Sequence, residues 1–148
     1  MFFADRVLLV EGATEKALFS WLLARDWHDL TRHRIAIVDV LGKYNFHRYM
    51  ALLDRFGIPY GLILDDDGDK KHHKAVNEFL RHRAGPHRLA APEFLPTHME
   101  AFLGLNLPGR GDLKPVQIMK VLETGTISPE KLNALRSKFC AALALAQG

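Results

Sequence analysis

Two acidic groups in this 148-residue chain each follow an apolar run. Val7-Leu8-Leu9-Val10 delivers Glu11 and then Gly12, and Gly61-Leu62-Ile63-Leu64 delivers Asp65-Asp66-Asp67-Gly68-Asp69. Runs of this length read as buried strands, so both groups stand where a strand ends and the chain turns. In an open α/β sheet, ligands bind at the carboxyl ends of the strands. Carboxylates gathered there repel one another unless a cation is present. Hard divalent ions such as Mg²⁺ take oxygen ligands of this kind and often share them with phosphate. The expectation is a metal site for phosphate chemistry.

Other residues extend that site. Glu15 follows Glu11 by four positions across a strand-to-helix turn. It reads as a further ligand, or as a first-turn acid answering the helix dipole. Gly12 allows close backbone approach at the turn, or is simply a tight connection. In extended chain, positions i and i+2 face the same way, so Asp65 and Asp67 share a cation while Asp66 faces away. Asp69 is an outer ligand or a helix cap. The Asp-x-Asp-x-Asp spacing is not an EF-hand, because Lys70 and Val76 stand where that loop needs Gly and Glu. Lys43 follows the second predicted strand and reads as a phosphate contact or a plain surface lysine. Lys70 and Lys71, with Lys74, His72 and His73 beside them, form a basic helix surface suited to phosphates. Glu100 joins the acidic site or is a solvated helix-start acid. Lys114 precedes a helix after a glycine-rich loop; it stabilises charge on a reacting phosphate or is a solvated loop lysine.

The rest of the composition is that of an ordinary globular chain, 48% hydrophobic and 25% charged, which is enough to build a core without disulfides. The one cysteine, Cys140, lies in an apolar helical stretch and reads as a buried core thiol. That usage suits a reducing cytoplasm. The apolar runs are too short to span a membrane, and the first residues lack the pattern of a signal peptide. A formal charge of +3 is weak evidence for a nucleic-acid partner.

These residues need elements to position them. Strands are expected at Arg6 to Val10, Arg34 to Leu41 and Pro59 to Leu64. Helices are expected at Thr14 to Ala24, Phe46 to Phe56 and Lys70 to His82. The βαβαβ order implies a parallel sheet with right-handed crossovers. Arg88 to Leu95 reads as a fourth strand, short or at an edge because of Pro92. Met99 to Leu103 is a short helix, and residues 106–111 form a loop. Pro115 to Glu123 is a helix stopped by Gly125, and Ser128-Pro129 starts a last helix running to about Ala146. The division is an α/β core over residues 1–105 and a loop with a helical extension over 106–148, packed on the same domain.

The pattern of a Glu after the first strand and an Asp-x-Asp after the third resembles the Toprim domain of topoisomerases, bacterial primases, recombination mediators and OLD-family nucleases. Val10-Glu11-Gly12 and Asp65-Asp66-Asp67 carry it. In detail, Phe2 to Glu15 resembles the first motif of the OLD (overcoming lysogenization defect) family. Gly42-Lys43-Tyr44-Asn45, Gly57-Ile58-Pro59-Tyr60, Glu100 and Lys114-Pro115 resemble later ones. The resemblance implies a Toprim-like open, mainly parallel sheet flanked by helices, with extra C-terminal helices. It also implies a DNA endonuclease working through two Mg²⁺ or Mn²⁺ ions. Glu11, Asp65 and Asp67 are then the core ligands, with Glu15, Asp69 and Glu100 as additional ones, and Lys114 assists the reaction. The family carries an ATPase region before the Toprim domain, and this chain has no Gly-x-x-x-x-Gly-Lys loop.

Two rival readings follow. One is a non-catalytic Toprim-like module that binds nucleic acid or a partner. The other is a phosphoacceptor receiver domain, which expects an acidic pair where this chain has Glu11-Gly12. A topoisomerase-like reaction needs a presented tyrosine, and Tyr44, Tyr49 and Tyr60 all fall within or beside expected elements, which favours hydrolysis.

Overall fold

In the computed structural model, which describes residues 4–67 and 70–147, Val7, Leu8, Leu9 and Val10 are almost wholly shielded from solvent. A strand shielded on both faces belongs in the middle of a parallel sheet. The elements are β1 (Arg6–Val10), α1 (Ala13–Arg25), β2 (Ile35–Asp39), α2 (Phe46–Phe56), β3 (Tyr60–Asp65), α3 (Lys71–His82), β4 (Glu93–Leu95), α4 (Met99–Leu103), α5 (Lys114–Thr124) and α6 (Pro129–Ala142). Among the described residues the sheet has the order β2-β1-β3-β4, and every pairing is parallel.

The period-two alternation of β1 and β3 divides the core. Leu8, Val10 and Ile63 point to one face, where they meet Leu18 and Leu22 of α1, Ile118 of α5 and Phe139 of α6. Val7, Leu9, Leu62 and Leu64 point to the other, where they meet Phe46 and Met50 of α2 and Leu80 of α3. Cys140 is buried on the α6 side. Val10 pairs with Asp39 on one side and Ile63 on the other, so the central strands end at nearly the same level. No described helix is long and apolar enough to cross a membrane.

Most element ends fall within a residue or two of expectation. The fourth strand is shorter than the expected Arg88 to Leu95. Its chain touches β3 through a single bridge from Arg88 to Tyr60, and regular pairing begins only at Glu93. Pro92, with no N–H to give the ladder, separates the two. The last helix stops at Ala142 rather than near Ala146. Leu143 and Leu145 are drawn into the core, and the turn that allows this places Ala144 at a φ of 51°.

The end of α6 presses directly on β3. A β-carbon at Gly61 would stand 2.1 Å from the carbonyl oxygen of Ala142 and 2.6 Å from its carbon. Backbone there cannot yield as a side-chain tip would. Gly61→Ala is therefore expected to lower stability by about 1–3 kcal/mol, read as a lower urea midpoint. An unchanged midpoint would show that α6 does not bear on the strand.

Candidate metal centre at the strand switch point

The chain leaves β1 toward β2 on one side and returns to β3 on the other. The strand order thus reverses between β1 and β3, and the reversal opens a crevice at their carboxyl ends. Glu11 is the first residue beyond β1, and Asp65 is the last of β3. Carboxylate oxygens of Glu11, Asp65 and Asp67 lie within 4.8 Å of one another. Backbone groups fix two of them. The Asp65 N–H donates to Glu11 Oε2 at 3.3 Å, and the Met99 N–H donates to Asp65 Oδ1 at 2.9 Å. Asp67 has a φ of 44°, so the extended chain has already ended there. Asp66 turns to α3 instead, where Asn77 Nδ2 donates to its carbonyl at 2.5 Å.

Lys43 corrects an expectation. It is neither a surface lysine nor free to meet a phosphate; it is 3% exposed. Its Nζ donates to the Asp65 carbonyl at 2.6 Å and to Asp67 Oδ2 at 3.1 Å. Gly42, at a φ of 114°, and the 3-10 turn Lys43–Asn45 carry the lysine inward. A buried ammonium is tolerated only with such partners. His73 is a second correction. It does not belong wholly to a basic surface, because its Nδ1 is 2.9 Å from the same Asp67 oxygen. Asn77, which sequence reasoning passed over, is 1% exposed one turn further along α3. The signal that would have found both is the polar pair at i and i+4 beside Val76 and Leu80.

Glu15 lines the same cleft but lies outside the close trio. A β-carbon at Gly12 would come 3.3 Å from its Oε2, so the glycine leaves that carboxylate room. Glu100 and Lys114 also line the cleft, and they pair with each other, with Lys114 Nζ donating to Glu100 Oε1 at 2.5 Å. Lys70 is exposed at the cleft mouth and Lys71 is exposed at the start of α3. Asp69 lies outside the described residues. Tyr44 is 56% exposed, against the expectation that no tyrosine is presented, and its ring meets the His73 ring edge-on.

Burial pushes the Asp65 carboxyl up to about 8, with Glu15, Glu11 and Asp67 adding to the rise. Burial likewise raises Glu15 to about 6, aided by Glu11 and Asp39. Glu11 is raised by burial against the pull of Lys43. Asp67 is the exception. Burial raises it, but the hydrogen bonds from His73 and Lys43 outweigh that and hold it below the usual carboxylate range. One internal ammonium therefore offsets one carboxylate, and Asp65, raised to about 8, holds its proton at neutral pH unless a further cation arrives. The donors facing one another are all carboxylate oxygens, the set a hard divalent ion takes.

The chain has recognisable relatives. The family model for the overcoming lysogenization defect protein-like TOPRIM domain matches residues 2–67. A curated relative, Endonuclease GajA of Bacillus cereus (strain VD045), is 37% identical over 79 residues, which cover 53% of this chain and 14% of that protein. The chain thus matches only a small part of that relative's length. The solved C-terminal region of the Xanthomonas campestris pv. campestris OLD protein shares the fold, with a TM-score of 0.51 and 22% identity over 93% of this chain and 72% of that one. The stretch that the OLD-like TOPRIM model matches, residues 2–67, includes Glu11, Asp65 and Asp67, so the chain is similar to that family over the part that carries the acidic trio.

Proposed function

We propose that this chain is a metal-dependent nuclease that hydrolyses phosphodiester bonds in DNA. The observation that carries the reading is the trio Glu11, Asp65 and Asp67, within 4.8 Å of one another, in which burial and the neighbouring carboxylates push Asp65 up to about 8. Likeness to a relative named as an endonuclease supports the reaction class. Glu11, Asp65 and Asp67 hold the first Mg²⁺ or Mn²⁺. Glu15 and Glu100, on the same cleft, complete a site for a second, and Asp69 is an outer ligand. Divalent ions held there activate a water and offset charge on the phosphate.

The chain's own residues do the rest. The Met99 N–H and the Asp65 N–H hold two carboxylates in place before any ligand arrives. Lys43 and His73 fix Asp67 through one oxygen, Oδ2, and leave Oδ1 for the cleft. Lys114 is the fixed positive charge beside the phosphate; paired with Glu100 in the cleft, it is already positioned at the first residue of α5. Lys70 and Lys71 at the rim draw in the backbone of the strand. The core over residues 1–105 supplies the carboxylates, and residues 106–148 supply Lys114. In a longer protein an ATPase region would precede this one, and the reducing cytoplasm is the compartment that suits Cys140. The rival, a non-catalytic binding module, has no need for buried carboxylates that repel one another.

Metal binding has a pH signature. The folded Asp65 carboxyl, at about 8, lies above its ordinary value of 3.8. The folded state therefore binds a proton that the unfolded chain has released, and metal-free stability falls as pH rises between those values. A divalent ion takes the place of that proton. Mg²⁺ is expected to raise the melting temperature more at about pH 8 than at about pH 5. An equal shift at both, or none, would contradict the site.

Catalysis is tested on plasmid DNA. With Mg²⁺ or Mn²⁺ and no ATP, the chain is expected to nick or cleave it, and EDTA to stop the reaction. Asp65→Asn should lose more than about a hundredfold in rate, beyond what loss of an outer-shell partner costs. Lys114→Met should lose about a hundredfold while keeping the Mg²⁺ melting shift. Equal cleavage by Asp65→Asn would assign the activity to a contaminant. Binding of DNA without cleavage would favour the non-catalytic module.

A further inference from the structure

Beside the acidic cleft lies a second feature that the proposed hydrolysis does not use. An apolar groove runs between α2 and α3, lined by Tyr44, His47, Ala75, Val76, Phe79 and Leu80, with Lys43 at its end. Three of its residues carry flat rings. Tyr44 is 56% exposed and Phe79 49% exposed, while His47 meets Phe79 edge-on with ring centroids 6.5 Å apart. Large exposed rings gathered on one groove mark a binding surface.

The groove is tied to the cleft by direct contacts. Lys43, which closes one end, is the lysine whose Nζ holds Asp65 and Asp67. Tyr44 stands edge-on to His73, and His73 contacts Asp67. The groove and the carboxylates are therefore separated by little more than one side chain.

The charge on the groove's rim selects the ligand. On α3, positions i and i+4 stack on one face, so Lys71 heads the row that continues through Ala75 to Phe79. Lys71 and Lys74 are exposed at the end of the helix nearest the cleft. The surface thus runs from cationic to aromatic over two helical turns. A nucleotide has that pattern, with an anionic phosphate at one end and a flat base at the other. Aromatic side chains bind bases by stacking without regard to their identity; Tyr44, more than half exposed, is the ring placed to do so, whereas Phe79 already carries the Arg83 guanidinium over its ring at 5.6 Å and serves as apolar wall. An apolar peptide would fit the rings but leave the lysines without partners.

We infer that this groove is a nucleobase site, which receives an unpaired base next to the phosphate held in the acidic cleft. The inference rests on the proposed nuclease reading and narrows its substrate to DNA with a single-stranded or extruded base at the point of cleavage. A base paired inside a duplex cannot present its face to a groove.

The test is fluorescence anisotropy in Mg²⁺ with labelled oligothymidylate, an abasic strand of equal length and a fully paired duplex. Lys114→Met serves as the common background, because it slows cutting while leaving the metal ligands Glu11, Asp65 and Asp67 in place. The oligothymidylate is expected to bind about fivefold or more tighter than the abasic strand, the gain from stacking a base. Tyr44→Ala should remove that difference while leaving abasic binding unchanged, and Tyr44→Phe should keep it. Equal binding of oligothymidylate and abasic strand, or an undiminished difference in Tyr44→Ala, would overturn the inference alone. Failure of all three DNAs to bind would instead overturn the nuclease reading beneath it. Competition for the groove by an apolar peptide but not by oligothymidylate would make it a protein-docking surface and overturn the inference as well.

Discussion

The concentration of carboxylates at the β1–β3 boundary is the constraint on which the rest of this structure depends. Glu11, Asp65 and Asp67 come together because two parallel strands end at one level and the strand order reverses between them. Such a cluster opposes folding. The protein offsets it locally, with Lys43 inside and with backbone N–H groups from Asp65 and Met99. The compensation is partial. Asp67 is held ionised, whereas Asp65 is left with its carboxyl raised to about 8. Charge left over in a cleft open to solvent is an invitation to a cation, and that is the link from fold to chemistry.

The two faces of the sheet support this arrangement differently. On one, α6 ends against Gly61, so the strand that carries Asp65 has a backbone carbonyl packed against its side. Also on that face, α5 packs against α1, and its first residue, Lys114, reaches the cleft. On the other, α3 supplies His73 to Asp67 and Asn77 to the Asp66 carbonyl, anchoring the acidic loop from below. Core burial and site geometry are therefore the same set of contacts seen from two ends.

Much of this is legible in the residues. Apolar runs followed by acids located both ends of the switch point. Helical spacing located α2 and α4 to the residue. Single punctuating residues were informative too, since Gly125 does close α5 in a left-handed turn. What was hidden has a common physical cause. The direction of a side chain depends on tertiary neighbours that spacing does not encode. Lys43 looked like a surface lysine because nothing local says that Gly42 turns it inward. His73 and Asn77 were hidden among lysines and apolar residues of a helix whose inner face had no known partner. Tyr44 reads in sequence as part of a fold element, whereas a short 3-10 turn leaves it more than half exposed. The C-terminal end of α6 depended on Leu143 and Leu145 finding the core, a long-range effect.

Whether the carboxylates at the strand switch point hold divalent metal is decided by anomalous diffraction from crystals soaked in Mn²⁺. Anomalous density is expected among Glu11, Asp65 and Asp67, with Lys43 still on Asp67. Density confined to other acidic residues, or an empty cleft at Mn²⁺ concentrations that shift the melting temperature, would contradict it.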